Sequence, residues 1–382
     1  MADDGCWAEA TRPSWMELDL GALRHNYRLI REQVGPEVKI IAALKANAYG
    51  HGAAAVARAL AATDVEMLAT GSFADALAIR QAGVRLPVLM FGGTLPEGMA
   101  ELLAHGLVPT VYDMAGAVAV SAAATDPTAV YVKVDAGLGR LGIALPDALA
   151  FIAGIRDLPN IFVEGVYTHL AFYDLMGRDW AHRQLAAFDE LLGALTAAGI
   201  EVPVTQALAS SCLLAGLPSR ANAVCPGHLL YGISPVAAEV APIAPYRSVL
   251  RAVKSRLIHV GPLKVGMRGA GHNAPRQVGV LPFGLADGYR PLLPEQPAAV
   301  LIRGRRAPIK GVSLEHLTLD LSGFDDAQVG DEAVLLGQSG TESITVDDLA
   351  RWQGTRPHHV LMALDRKLAC RYLGDGSGLN VE

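Results

Sequence analysis

At 382 residues, with 51% apolar and 18% charged positions, the chain is long enough for two domains and a large core. A net charge of −6, with no basic stripe interleaved with aromatics, argues against a nucleic-acid partner. No charge-free apolar run reaches membrane-spanning length, so no membrane association is expected. The opening residues, Met1 to Gly5, lack the basic and apolar regions of a secretory leader. Four cysteines (Cys6, Cys212, Cys225, Cys370) lie far apart without zinc spacing and read as reduced thiols of a cytoplasmic protein.

Trp15 to Leu18 alternates as a strand, and Gly21 to Val34 places Leu23, Tyr27 and Ile30 on one helical stripe. A strand–helix rhythm then begins. Strands are predicted at Ile40–Leu44, Glu66–Thr70, Val88–Phe91, Leu107–Val111, Ala129–Val134, Phe162–Tyr167, Pro203–Leu208 and Ala223–Val224. Helices are predicted between most of them, among them Ala53–Leu60, Phe73–Gly83, Met114–Ala124 and Trp180–Ala198. Eight strands alternating with helices predict an α/β fold with a closed (β/α)8 barrel; an open doubly wound sheet is the alternative. From about Ser248 the rhythm gives way to short alternating segments: Leu250–Val260, Val278–Pro282, Ala299–Ile302, Leu317–Leu321 and Glu332–Leu336. A small C-terminal all-β domain is therefore expected over 246–382, after a barrel domain over 1–245 and a hinge near Pro242 and Pro245.

The chemistry concentrates where strands end. Ile40-Ile41-Ala42-Ala43-Leu44 reads as a strand buried on both faces, and it stops on Lys45. A partly desolvated lysine at a strand's carboxyl end has a lowered pKa and suits a Schiff base. Strand five ends in Lys133-Val134-Asp135-Ala136-Gly137-Leu138-Gly139-Arg140-Leu141-Gly142, where glycines admit close backbone approach and Arg140 offers a fork for a phenolate or carboxylate. Two inward cations, Lys133 and Arg140, would require neutralisation. His169 closes strand six. Ser210-Ser211 and Pro226-Gly227-His228 follow strands seven and eight, where a barrel places its phosphate site.

The run Lys45-Ala46-Asn47-Ala48-Tyr49-Gly50-His51-Gly52 resembles the pyridoxal-phosphate lysine motif of the alanine racemases, and the resemblance extends over nearly the whole chain from Trp15. It implies a fold-type III enzyme: a barrel carrying pyridoxal 5'-phosphate as an aldimine on Lys45, then a β-domain that strand 14–20 joins. It further implies that Arg140 contacts the cofactor's phenolic oxygen and the substrate carboxylate, and that Lys133 can be carbamylated. His169 is implied to stack on the pyridine ring, with Tyr49, Ser210, Gly227 and His228 at the phosphate. The substrate would be a small amino acid, and the enzyme a homodimer with a shared site.

Three departures stand out. The racemases' arginine facing the pyridine nitrogen is replaced by Cys225. Their second catalytic base, a tyrosine, has no counterpart in Gly266 to Asn273; Arg268 takes its place, with His272 further along. Their Cys-Met-Asp element reads Ser313-Leu314-Glu315. Racemisation needs a proton carrier on each face of a planar carbanion, so Lys45 and His272 are the catalytic candidates beside Arg268, itself a poor base. A one-base aldolase or lyase acting on a β-hydroxy or α-substituted amino acid, with His272 or His169 as base, is the runner-up. A non-catalytic pyridoxal-phosphate-binding protein is the third reading.

Overall fold

Apolar runs punctuated by turns lay down the first half of the chain. The computed structural model describes residues 12–263, 276–294, 296–364, 368–374 and 380–381. After β1 (Ser14–Asp19) come β2 (Lys39–Ala43), β3 (Met67–Thr70), β4 (Val88–Met90), β5 (Thr110–Val111), β6 (Thr128–Asp135), β7 (Ile143–Ala144), β8 (Ile161–Leu170), β9 (Val204–Ala209) and β10 (Ala223–Cys225). Eight of these pair side by side in the order β4-β3-β2-β10-β9-β8-β6-β5, with β7 a short addition to β6. A parallel bridge between Leu89 and Val108 brings β4 to the chain just ahead of β5, so the sheet curls into a nearly closed barrel. The expected barrel is present and the open sheet is excluded.

The barrel is filled, not hollow. Ile41, Ala69, Leu89, Tyr131, Tyr167, Val204 and Ala223, one from each of seven strands, form one buried cluster. Gly165 is required by this packing, because a Cβ there would lie 2.3 Å from the Tyr131 ring. A second cluster, including Val130, Val132, Ile152, Ile155 and Phe188, joins the strands to the surrounding helices. Strand ends lead directly into capped helices. Ser72 accepts from the Asp75 N–H, Asp113 from Gly116 and Asp174 from Gly177. The Asp174 cap starts the helix Leu175–Ala197 five residues ahead of the predicted Trp180.

Contacts divide the chain into one compact unit of Ala22–Arg247 and another of Met1–Gly21 with Ser248–Glu382. The second unit holds β11 (Leu250–Arg256), β12 (His259–Pro262), β13 (Gln277–Leu281), β14 (Ala299–Ile302), β15 (Arg305–Val312), β16 (Leu317–Asp320), β17 (Glu332–Ser339), β18 (Glu342–Ile344), β19 (Ala369–Leu373) and β20 (Asn380–Val381). They form one sheet in which β1 lies between β11, antiparallel, and β19, parallel. The strand predicted over Leu250–Val260 is two strands. At Leu257 and Ile258 the backbone changes partner, donating to Asp331 and then to Val280. Two short helices, Val346–Trp352 and Pro357–Ala363, accompany this β-sheet and were not anticipated. The first is set by a Thr345–Asp348 capping box, the second by Pro357 in its first turn.

Candidate active site

Lys45 directly follows the central strand β2 and Leu44, whose N–H donates to Ala69 O at 2.7 Å. The backbone then reverses its hand. Ala46, Asn47, Ala48 and Tyr49 all have φ between 53° and 55°, and Gly50 and Gly52 follow with φ of 82° and 86°. Left-handed turns of non-glycine residues are rare and cost about 1–2 kcal/mol per residue, less for asparagine. Hydrogen bonds hold this one: Ala48 N–H to Leu44 O at 2.8 Å, Gly50 N–H to Ala46 O at 3.0 Å, and Asn47 N–H to Asp75 Oδ2 at 2.8 Å. Asn47 Oδ1 in turn accepts from the Ala53 N–H at 2.8 Å, fixing the start of the next helix.

Lys45 opens onto a cavity of about 350 Å³ that Lys133, Arg140, His169 and His228 also line. Among the described residues, no aspartate or glutamate lines it. Burial lowers the Lys45 pKa, and Arg140 adds to the effect. Burial followed by the Arg140 charge brings Lys133 down to about 8. Its Nζ lies 4.4 Å from the centroid of the Tyr167 ring, whose hydroxyl pairs with Thr110 at 3.0 Å. His169 is pushed down to about 3 by burial and then by Lys45, Lys133 and Arg140. Its ring is accordingly neutral.

The turn that carries Arg140 is wrapped round a carboxylate. Asp135 accepts from the N–H groups of Gly137 at 2.9 Å, Gly139 at 3.1 Å and Arg140 at 2.9 Å. Burial opposes ionisation there, but these N–H groups outweigh it and hold the carboxyl below its usual range. Gly142, at φ 138°, could not bear a Cβ, which would sit 2.5 Å from the Asp135 nitrogen.

Across the cavity, Ser210 Oγ accepts from the N–H groups of Gly227 at 2.8 Å and Leu229 at 3.3 Å. This ties the β9 and β10 loops together and leaves the hydroxyl proton available to an anion. Gly227 is bare because a Cβ would lie 2.3 Å from the Tyr49 hydroxyl. Tyr49 packs edge-on against His228 at 5.1 Å, and His51 stacks on Tyr231 at 4.9 Å. The Tyr231 hydroxyl donates back to Ala43 O at 3.2 Å. The loops of the first and last barrel strands are thus interleaved.

The structure therefore brings together Lys45, Tyr49, Arg140, His169, Ser210, Gly227 and His228, together with Lys133 and Cys225. Arg268 and His272 lie outside the described residues. Ser313-Leu314-Glu315 lies in the turn between β15 and β16, where Ser313 N–H donates to His316 O at 2.9 Å. Reading the sequence missed Gln206, Phe91 and Phe172 of the cavity wall and the Asp75 contact. Among the described residues, no cluster fit to hold a metal ion is present and no helix is long and apolar enough to cross a membrane.

Comparison with known proteins decides the lineage. A family model described as "Alanine racemase, N-terminal domain" matches residues 18–235, and one described as "Alanine racemase, C-terminal domain" matches 253–372. An alanine racemase of Syntrophobacter fumaroxidans is 37% identical over 92% of this chain and 96% of its own length. One from Halothermothrix orenii is 31% identical over 95% and 97%. The chain belongs to the alanine racemase family.

Solved structures agree with that membership. A Clostridium difficile alanine racemase in complex with cycloserine superposes with a TM-score of 0.85 at 27% identity, covering 97% of this chain and 98% of its own. The Bacillus anthracis alanine racemase with bound L-Ala-P gives 0.85 at 26% identity, covering 97% of each chain. Cys225 lines the same cavity as the two lysines. Burial pushes its thiol up to about 12 against the pull of Lys45 and Lys133, so it is neutral.

Proposed function

We propose that the chain is a pyridoxal-phosphate-dependent racemase of a small amino acid, with the cofactor attached to Lys45. The observation that carries this is the cavity itself. It places an amine of lowered pKa among Lys133, Arg140 and His228, with no carboxylate among the described residues of its lining. Such a wall fits a phosphate dianion together with a substrate carboxylate. Ser210, Gly227, His228 and Tyr49 would hold the phosphate, His169 would lie against the ring, and Arg140 would take the carboxylate. The bound cofactor supplies an electron sink for charge developing at the substrate's α-carbon.

The chain's own residues do the rest. Lys45, partly relieved of its proton by burial, can accept one from the α-carbon on its side. Arg140 orients the carboxylate, and the neutral Cys225 thiol brings no charge of its own to the site. His272 is the proton carrier proposed for the opposite face. The domain reading belongs to the same proposal: the cofactor in the Ala22–Arg247 barrel unit rather than a barrel over 1–245, a β-domain that also takes in strand 14–20, two subunits sharing each site, and a cytoplasmic setting. The thiol state of Cys212 and Cys225, neither in a disulfide, supports that setting.

Incubation with single L-amino acids, alanine first, in deuterated water tests the reaction. Deuterium uptake with inversion is expected; uptake with retention would establish a one-base enzyme of the aldolase or lyase kind. No uptake with any amino acid would leave only a binding role. His272→Ala should slow inversion by about two to four orders of magnitude, the usual worth of a general acid–base group. Unchanged inversion in that variant, with Arg268→Tyr raising alanine racemisation, would remove His272 from the scheme. Light scattering should find a dimer at micromolar concentration, and a cofactor-loaded monomer would refute the shared site.

A further inference from the structure

The left-handed turn after Lys45 is strained backbone beside the cavity, and strain of this kind persists only where the surroundings over-determine it. Four consecutive residues other than glycine hold φ near 55°. Their hand reverses immediately after the lysine, so the turn decides the direction in which the chain leaves Lys45. Asn47 is its centre. The Asn47 side chain accepts from Ala53 N–H, while its own backbone N–H goes to a carboxylate far along the chain, Asp75 Oδ2, at 2.8 Å.

Asp75 is 5% exposed and sits in the first turn of the helix Phe73–Gln81, where a negative charge is favoured. A buried carboxylate needs a compensating reason. The N-cap function of that helix is already served by Ser72, whose hydroxyl accepts the Asp75 N–H at 3.2 Å. Asp75 is not among the residues that line the cavity.

We propose that Asp75 is a positioning residue for the cofactor-bearing lysine: by accepting the Asn47 N–H it holds the left-handed turn that aims Lys45 into the cavity. The proposal rests on Lys45 being the attachment residue. It explains why a run of Ala-Asn-Ala-Tyr keeps a conformation that glycine would adopt freely. A charge-assisted acceptor suits a backbone N–H better than a neutral one.

The test titrates pyridoxal 5'-phosphate into cofactor-stripped protein, followed by its visible absorbance. Asp75→Ala should weaken binding about ten- to a hundredfold, with slower borohydride trapping on Lys45. Asp75→Asn, whose amide oxygen can still accept the Asn47 N–H, should stay within about threefold of the unmodified protein. Adding Ala46→Gly to Asp75→Ala, which relieves the strain at one of the four left-handed residues, should recover part of the lost affinity. Ser72→Ala, which loosens the same helix start without touching the turn, should leave affinity within about twofold.

Asp75→Ala binding as tightly as the unmodified protein overturns the proposal, as does Asp75→Asn falling as far as Asp75→Ala. Should Asp75→Ala not fold, hydrogen exchange of the unmodified protein and of Asp75→Asn decides. A protected Asn47 amide in both is expected, and exchange at the rate of an exposed loop amide refutes the brace. Failure of the underlying reading looks different: the borohydride label on unmodified protein would fall on a lysine other than Lys45.

Discussion

Two turns at the cavity rim solve the same problem by opposite means. Each follows a strand that delivers a cavity lysine, Lys45 after β2 and Lys133 on β6, and each drives the backbone into positive φ. Each is organised by a carboxylate that accepts backbone N–H groups. In the turn after β6 the carboxylate is local, Asp135, and the positive angles fall on Gly137, Gly139 and Gly142. In the turn after Lys45 the carboxylate comes from Asp75 in another helix, and the positive angles fall on alanine, asparagine and tyrosine. A turn can meet its conformational demand through residue type or through a remote contact, and only the first is written locally in the sequence.

The comparison breaks most sharply at Gly142. Gly142→Ala forces a side chain into backbone at 2.5 Å and at φ 138°, and should cost about 2–4 kcal/mol of stability, read by chemical denaturation. Retained stability would mean that the Asp135 turn is far softer than its packing indicates.

The Lys133 side of this comparison can be probed by pH. Lys133 is lowered from 10.5 to about 8 in the folded chain, so between those values the unfolded state binds more protons than the folded state. Its burial therefore destabilises fully below about pH 8, and that loss is relieved as pH rises toward 10.5. Cofactor-free protein should gain up to about 3 kcal/mol from Lys133 across this window, on top of the contributions of other groups. Lys133→Met should flatten that part of the profile; an identical slope in the variant would show that Lys133 does not titrate there.

The smallest effect belongs to Ala46→Gly. Relief of left-handed strain, about 1–2 kcal/mol, is partly offset by glycine's entropy, leaving a gain of about 0.5–1 kcal/mol. A loss of stability would contradict the strain assigned to this turn. In the glycine-rich turn the reverse substitution at Gly139, φ 72°, has the opposite sign expected.

These contrasts explain what could be read from the sequence. The barrel strands were legible because residues such as Ile40 and Ile41 are buried in a continuous apolar run. Lys45, Arg140, His169, Ser210 and His228 were legible because each stands at the end of such a run, and the structure lines one cavity with all of them. β15 was not, since Arg305, Arg306 and Pro308 are exposed and only Ala307 within Arg305–Pro308 is buried, which reads as loop. The partner change at Leu257 was hidden because β11 and β12 alternate without a break in polarity. Asp75 was missed because an acid three residues after Ser72 has the ordinary look of a helix start.

The interleaving of Tyr49 and His51 with Gly227, His228 and Tyr231 sets an order of events during synthesis. Lys45 and Tyr49 are made early, but Gly227 and His228, which Tyr49 packs against, leave the ribosome only after seven more barrel strands have been translated. Bringing the two ends together closes a loop of about 180 residues, an entropic cost of roughly 4–5 kcal/mol that the earlier strands must prepay by their pairing. A nascent chain that stops short of β10 thus carries Lys45 and Tyr49 without Gly227 and His228, and this side of the cavity is completed only when the barrel is.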